Sequence, residues 1–388
     1  MTPTLFLQSE IQNPYELYET MLGEHPVYWD NVNRLWAVYS YEDCKALLGN
    51  SLAHIPVPGH NSKDGLNENA LLVTGKLARL SNGVQHEMAK KITMLLFDNM
   101  KTIAKGDIIE KLIEKEKEKG KIDWVHSICR KLPVMTVLKS FDFKEEDCDV
   151  ISGKIELLSK IMSPGVPAEQ IKDINKISKD IYTTTENHLS GTRFYEPLLK
   201  SLSEKYETAP GEIAALCISN LIGLFIQSYD AGRGLLSNAL LQIIANKNLI
   251  SKNFMDLAYM EKCVTETLRF DPPVHNTKRI AADNILLNNM HIKKGEIILI
   301  VLAAANRDPH KFKDPNIYNA ERANNSEHLT FGDGSHRCPA KHLSVSLTID
   351  ALAYIFTKYQ RIHLIEKDIY YEPLINVRLP KNIFISLS

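Results

Sequence analysis

The chain has 388 residues, 44% hydrophobic and 24% charged, an ordinary globular balance with enough length to bury a large core. With 46 basic and 47 acidic side chains the net charge is −1, which gives no case for nucleic acid or an anionic membrane as a partner. The six cysteines (Cys44, Cys129, Cys148, Cys217, Cys263 and Cys338) are scattered without a CxxC pair or disulfide-like spacing, so a reducing cytosol and a cytoplasmic location are expected.

Met1 to Asn13 lacks a basic segment followed by an apolar run, so no signal peptide is expected. Short β-like runs follow at Val27–Trp29 and Leu35–Tyr39, where aromatic and branched residues cluster. A Gly/Pro/Asn-rich loop spans His54 to Asn69. From Ser81 onward helical periodicity dominates and predicts helices at roughly 84–97, 102–119, 124–140, 145–162, 168–190, 193–206, 210–246 and 253–270. Within the long helix, Ile213 to Ile226 is interrupted by Ser219 and Asn220 and falls short of ~18 uninterrupted apolar residues; it reads as a buried helix, not a membrane span. Asp271-Pro272-Pro273 stops the last of the series.

Short strands are expected between Ile285 and Val301, and Ile297–Leu302 has a buried-strand pattern. Residues 305–337 read as mostly irregular, a final helix covers about 340–357, and Ile362–Leu364 and Asn382–Ser386 read as strand. No repeat, linker or low-complexity tract marks a second domain, so 1–388 reads as one mainly α domain with a minor β region.

The stretch Phe331-Gly332-Asp333-Gly334-Ser335-His336-Arg337-Cys338-Pro339-Ala340 ends the irregular segment and opens into the final helix. A cysteine there can present its sulfur at a helix N-terminus, where the dipole and backbone N–H groups favour thiolate. Gly332 and Gly334 let the backbone pass close to something flat and bulky. A thiolate so placed suits an axial heme ligand. Spacing alone leaves two other readings open: a core cysteine, and a zinc site of His336, Cys338 and His342 with no nearby fourth ligand. Upstream, Glu266-Thr267-Leu268-Arg269 sets acid and base at i, i+3 on one helix face, which by itself is an ordinary ion pair worth about 0–1 kcal/mol.

The FxxGxHxC pattern from Phe331 to Cys338 resembles the heme-binding loop of the cytochrome P450 family. Glu266–Arg269 resembles its ExxR pair, and Ala303–Pro309 with Asn319–Arg322 looks like the segment leading into its loop. Asn13–Tyr18 through Trp36–Tyr39 is similar to the N-terminal part of soluble bacterial members, so the resemblance runs nearly end to end. It implies a cytochrome P450 fold in a single large helical domain, and heme b with Cys338 as the axial thiolate and metal ligand. It also implies a buried Glu266–Arg269 pair partnered by Arg322. Phe331 and Ala340 would lie against the porphyrin, with His86, Arg279 and His336 at the propionates. Lys90 stands where the family places an arginine and can supply charge but not a bidentate fork. Pro339 has no N–H, which leaves one donor fewer for the sulfur and a more electron-rich thiolate.

The long helix should cross the distal face of the heme. Aligning Ser237–Leu240 with the family's pattern places Gln227-Ser228-Tyr229-Asp230-Ala231-Gly232 where most members read Ala-Gly-x-acid-Thr-Thr. Asp230 keeps the acid, and Ala231 replaces a threonine that hydrogen-bonds bound oxygen and orders water. Alanine can do neither. A substrate group, Ser228, Gln227 or trapped water must then take over, or the oxidant is peroxide. By position in the family the substrate pocket involves the loop around Pro56–Leu72, Ile222, Ile226, Gln227, Asp230, Val274, His275, Asn276, Thr277, Leu374, Ile375 and Asn376. Its mixed polarity, from Asn276, Gln227, Asp230 and His275, points to a small natural-product-like substrate with several polar groups, such as a peptide or polyketide intermediate of secondary metabolism, and away from a plain fatty acid or terpene. The resemblance thus implies a monomeric monooxygenase that takes dioxygen, a small molecule and electrons from a ferredoxin or flavodoxin-type donor. That donor would meet a positive patch of Arg337, Lys341, His342, Lys90 and Lys91. The rival readings are a peroxide-driven oxygenase and a non-catalytic heme protein that binds a ligand.

Overall fold

The computed structural model describes residues 4–57, 64–116, 120–162, 166–246, 256–288 and 290–388. The chain forms two compact units, one of Met1–His54, Lys105–Arg130 and Ala231–Ser388, the other of Ile55–Ala104 and Lys131–Asp230.

The first unit carries all the β structure found among the described residues. In chain order its strands are β1 (Val27–Asp30), β2 (Leu35–Val38), β3 (Ala53–His54), β4 (Ile122–Asp123) and β5 (Thr277–Ala281). They continue with β6 (Ile285–Leu287), β7 (Met290–Ile292), β8 (Ile297–Ile300), β9 (Ile362–Leu364) and β10 (Phe384–Leu387). The main sheet has the order β1-β2-β8-β5-β3, with β2 and β8 parallel and the other pairings antiparallel. Side chains alternate across it. Val38, Ile298 and Ile300 face the helix Tyr41–Gly49 through Cys44, Leu47 and Leu48, whereas Leu35, Ala37 and Leu299 face the helix Pro14–Glu24 through Tyr18 and Met21. Burial on both faces explains the unbroken apolar run of β8.

These two helices escape the periodicity of the sequence, yet both start at capping residues. Asn13 accepts from Tyr15 N with Pro14 at the first helical position, and Ser40 accepts from Asp43 N. Further helices of this unit are Lys105–Glu114, Arg233–Ala245, Leu257–Phe270 and Lys341–Lys358. The N-terminal segment is tied down by Arg378, which donates to Gln8 O (3.1 Å), Ile11 O (3.2 Å) and Gln12 O (2.7 Å) and stacks 3.4 Å from the Tyr371 ring centre.

The second unit is helical: Glu68–Lys76, Gly83–Asp98, Leu132–Ser140, Glu145–Ser159, Ala168–Ser190, Tyr195–Tyr206 and Pro210–Gln227. Ile213 and Ala215–Ile226 of the last are all buried. Gly223 lets this helix meet Leu77, whose Cδ2 would lie 2.3 Å from a Cβ built there. Asn220 completes the junction, accepting from Ala78 N (3.0 Å) and donating to Lys76 O (2.9 Å) and Leu216 O (2.8 Å).

Several sequence expectations need correction. The helix expected at 102–119 is the shorter Lys105–Glu114, with 117–119 outside the described residues. The one expected at 124–140 divides into a π turn, Val125–Cys129, and Leu132–Ser140 with Pro133 in its first turn. The 210–246 helix is interrupted by a second π turn, Ser228–Gly232. The strand expected over Ile297–Leu302 ends at Ile300, and Leu302–Ala305 is a helical turn. The loop His54–Asn69 ends in a helix at Glu68, and its residues 58–63 lie outside the described residues. Pro210–Ala245 is long and apolar enough by length and composition alone to span a membrane, but most of it is buried in the protein, as expected of a buried helix.

Candidate functional site

In the first unit the focus is the loop around Cys338. Gly332 (φ +69°) and Gly334 (φ +65°) both occupy the left-handed region, and Cys338 N donates to Phe331 O at 2.8 Å, closing the loop on itself. Gly334 also needs to be glycine for space: a Cβ there would sit 2.7 Å from Leu48 O and 3.0 Å from Gly49 Cα. The close approach that its missing Cβ permits within the protein is to the end of the Tyr41–Gly49 helix. The following helix begins at Lys341 with Ala340 as N-cap, so Cys338 lies two residues ahead of the cap and not in the first turn. His336 and Phe331 are half-buried in the same loop.

Cysteine burial separates the roles. Cys44, Cys129, Cys148, Cys217 and Cys263 are buried, and only Cys338 is partly exposed. Burial pushes the Cys148 thiol up to about 11 and those of Cys217 and Cys263 up to about 12, so these stay thiols at neutral pH.

Behind the loop lies Glu266–Arg269, with no exposed surface on either side chain. Arg269 grips the carboxylate twice, Nε to Oε2 at 2.9 Å and Nη2 to Oε1 at 2.7 Å. Its Nη1 donates to Asn306 O and Pro315 O, both at 3.0 Å. Glu266 also accepts from Asn319 N (3.0 Å) and from Arg322 Nε (3.4 Å). The ordinary surface ion pair is thereby excluded, since every charge is buried and bonded.

Arg279, on β5, is 4% exposed. Its Nη1 donates to Thr277 Oγ1 (3.0 Å) and Lys278 O (2.9 Å), and among the described residues no carboxylate pairs with it. Burial alone lowers its pKa to about 10. A buried guanidinium without an anion and one thiol outside the core make a donor set that fits an iron porphyrin carrying carboxylates.

The second unit holds His86 and Lys90, one turn apart on the helix Gly83–Asp98. His86 is buried, not solvent-facing, and its Nδ1 donates to Ala78 O at 2.8 Å, which fixes the tautomer. Lys90 is half-buried. The π turn Ser228–Gly232 contains Asp230 and Ala231, and the boundary between the units falls between these two residues. A π turn inserts one residue into the helical repeat, and such insertions recur at functional sites. Gln227 Nε2 donates one of its two N–H groups back to Gly223 O (2.8 Å), and Ser228 Oγ donates its only one to Phe225 O (2.9 Å).

Three expected pocket residues do not line open space. Ile222 and Ile226 are each 1% exposed and pack in the core. His275 is wholly buried, its Nδ1 2.9 Å from the Tyr18 hydroxyl; burial, then Arg378 and Arg307, holds its pKa well below the usual histidine value. Asn276 turns its amide to Ile375 O (3.0 Å), and Val274 pairs across to Val377. Of the expected set, Val274 and Leu374 are half-buried and Ile375 is exposed. Sequence reasoning missed Asn306, Thr330 and His328, which anchor the start of the Cys338 loop; only Asn306 lay in a stretch singled out beforehand.

A family model described as Cytochrome P450 matches residues 236–358, which include Glu266, Arg269 and the whole Cys338 loop. Cytochrome P450 119 of Sulfurisphaera tokodaii is 26% identical over 367 residues, covering 88% of this chain and 92% of that protein. The solved structure of P450BioI, in complex with an acyl carrier protein ligated to hexadec-9Z-enoic acid, superposes with a TM-score of 0.82 at 21% identity, over 98% of this chain and 100% of that one. CYP109E1 from Bacillus megaterium, in complex with testosterone, gives 0.81 at 20% identity, over 97% and 99%.

Proposed function

We propose that this chain is a heme-thiolate monooxygenase of the cytochrome P450 family, that Cys338 is its axial ligand and that it oxidises a small, mainly apolar, natural-product-like substrate. The observation that carries the ligand assignment is the contrast between five buried, thiol-locked cysteines and Cys338, which is partly exposed and backed by the buried Glu266–Arg269 pair. Arg279, His86, Lys90 and His336 are the groups proposed for the propionates, with Phe331 and Ala340 against the ring. The unanswered charge of Arg279 is the strongest support among them.

When bound, the heme supplies one-electron chemistry and activation of dioxygen. The residues of this chain hold it, exclude competing ligands and move protons. Asp230 is proposed as the acid that feeds protons inward. Ala231 offers no hydroxyl, Ser228 commits its single O–H to Phe225 O, and Gln227 commits one of its two amide N–H groups to Gly223 O. An amide N–H can hydrogen-bond but is far too weak an acid to deliver a proton, so water or a substrate group completes the relay. Electrons come from a ferredoxin or flavodoxin-type partner to a soluble, monomeric, single-domain protein.

The substrate reading changes once side-chain partners are considered. Two of the four polar groups that argued for a polar molecule are satisfied internally, His275 by Tyr18 and Asn276 by Ile375 O, and Gln227 commits one N–H to Gly223 O. Beside Asp230, the residues Val274, Leu374 and Ile375 remain, and these three are aliphatic. The fatty acyl and steroid ligands of the two solved relatives accord with such walls.

A carbon monoxide spectrum of the reduced protein should show the thiolate band, and Cys338→Ser should abolish it; persistence of the band would refute the ligand. A spectral screen of acyl, steroid and peptide compounds should find displacement of heme-bound water by the first two. Preferential binding of peptides would overturn the apolar reading.

A further inference from the structure

The amide of Asn306 is wholly buried and every polar atom on it is used. Its Oδ1 accepts from Leu329 N at 2.7 Å. Its Nδ2 donates to Thr330 Oγ1 at 2.8 Å and to Leu268 O at 3.4 Å. Thr330 Oγ1 passes its own proton to Leu268 O at 2.5 Å, so donors and acceptors match around the ring without a clash of hydrogens. The main-chain carbonyl of the same asparagine accepts from Arg269 Nη1 at 3.0 Å. One residue therefore bonds on one side to the buried Glu266–Arg269 pair and on the other to both residues that precede Phe331.

The loop transmits what happens there. Leu329 O accepts from Gly332 N, and Phe331 O accepts from Cys338 N, each at 2.8 Å. Thr330 N is held from the far side by His328 Nδ1 at 3.2 Å. A shift of Leu329 or Thr330 moves Phe331, and Phe331 carries the amide of Cys338 with it.

We infer that Asn306 is the positioning residue for the Cys338 sulfur, linking the Glu266–Arg269 pair to the loop through Leu329 and Thr330. This rests on the reading of Cys338 as the axial ligand. Asparagine suits the task because it accepts once and donates twice from one plane. Aspartate has the same shape and lacks both donors; leucine lacks every polar atom. Sulfur position governs the iron–sulfur bond, and a looser thiolate donates less charge and raises the reduction potential.

The test uses the heme-loaded protein with Asn306→Asp, Thr330→Val and the conservative Thr330→Ser. For each, the reduced carbon monoxide spectrum and the heme midpoint potential are measured beside thermal stability. Asn306→Asp and Thr330→Val are expected to convert part of the thiolate band and raise the potential, while Thr330→Ser restores both to wild-type values. The pair combined should be no worse than Asn306→Asp alone, because both break one chain of bonds. Variants that melt earlier but keep the wild-type band and potential would overturn the inference and leave a purely structural role. If Asn306→Asp yields no folded protein, Thr330→Val decides by the same two readouts. A thiolate band that survives Cys338→Ser would instead refute the ligand assignment itself, a distinct result.

Discussion

Gly334 and Leu48 approach so closely that a Cβ on the glycine would lie 2.7 Å from the Leu48 carbonyl oxygen. Gly332, two residues earlier, has the same left-handed backbone but open space, its nearest neighbour being His336 O at 3.8 Å. Alanine at 332 should thus cost only the backbone strain, about 1–2 kcal/mol. Alanine at 334 adds the displacement of a helix end, roughly a further 1–3 kcal/mol. Urea unfolding of the two variants should rank them in that order, with heme retention following; equal losses would show that the contact with Leu48 is easily relieved.

The Glu266–Arg269 pair predicts an asymmetry. Glu266→Ala leaves the Arg269 guanidinium buried without its carboxylate, and such a break costs about 3–5 kcal/mol. A double replacement, Glu266→Leu with Arg269→Met, removes both charges and should recover part of that loss in denaturant unfolding. The carbonyls of Asn306 and Pro315 would still lose their Arg269 donor, so recovery stays incomplete.

Two buried histidines set a pH limit. His275 titrates well below the usual value, and His328, buried and facing Lys341, Arg269 and Arg337, is pushed down to about 3. Above the unfolded value of about 6.5 both are neutral in either state and contribute no pH dependence. As the pH falls below it, the unfolded chain takes up protons that the folded chain refuses. Stability then declines by about 1.4 kcal/mol per pH unit for each histidine until its folded pKa is reached. Urea midpoints measured between pH 7 and 5 should fall, and His275→Gln should reduce the steepness by one proton's worth. An unchanged steepness would mean that His275 is protonated in the folded protein.

Ala231→Thr should restore a hydroxyl next to Asp230. Product formed per electron supplied should rise, on the order of tenfold or more, because a positioned proton donor contributes at least that much. Turnover driven by peroxide should gain far less. Equal gains under both oxidants would mean that Ala231 is not where the relay falls short.

The parts legible in the sequence were those with long periods or fixed spacing. The helices at 145–159 and 168–190 declare themselves by buried residues such as Ile151, Ile155, Ile174 and Ile181 at helical intervals. The Cys338 loop and Glu266–Arg269 stand out by their resemblance to a family pattern, since spacing alone left a core cysteine, a zinc site and an ordinary ion pair open. Short helices over the sheet did not, since Tyr41–Gly49 is nine residues long and its only strong signal is Ser40. A π turn adds one residue and leaves composition untouched, so Ser228–Gly232 could be read only as an oddity in a helix. His275 was misplaced for a different reason: chain position brought it near a pocket, but its ring turns to Tyr18, a partner 257 residues away.

The clasp of Arg378 on Gln8, Ile11 and Gln12 spans 370, 367 and 366 positions of the chain. On a ribosome those three carbonyls wait for residue 378 to be added, while the helices of 68–227 can form from local contacts long before. Closure over such separations is slow, and the unclasped segment stays open to proteases meanwhile. Thr4 and Phe6 can meet Asp30 and Tyr18 early, but the bonds to Gln8, Ile11 and Gln12 wait for the other end of the chain to be made.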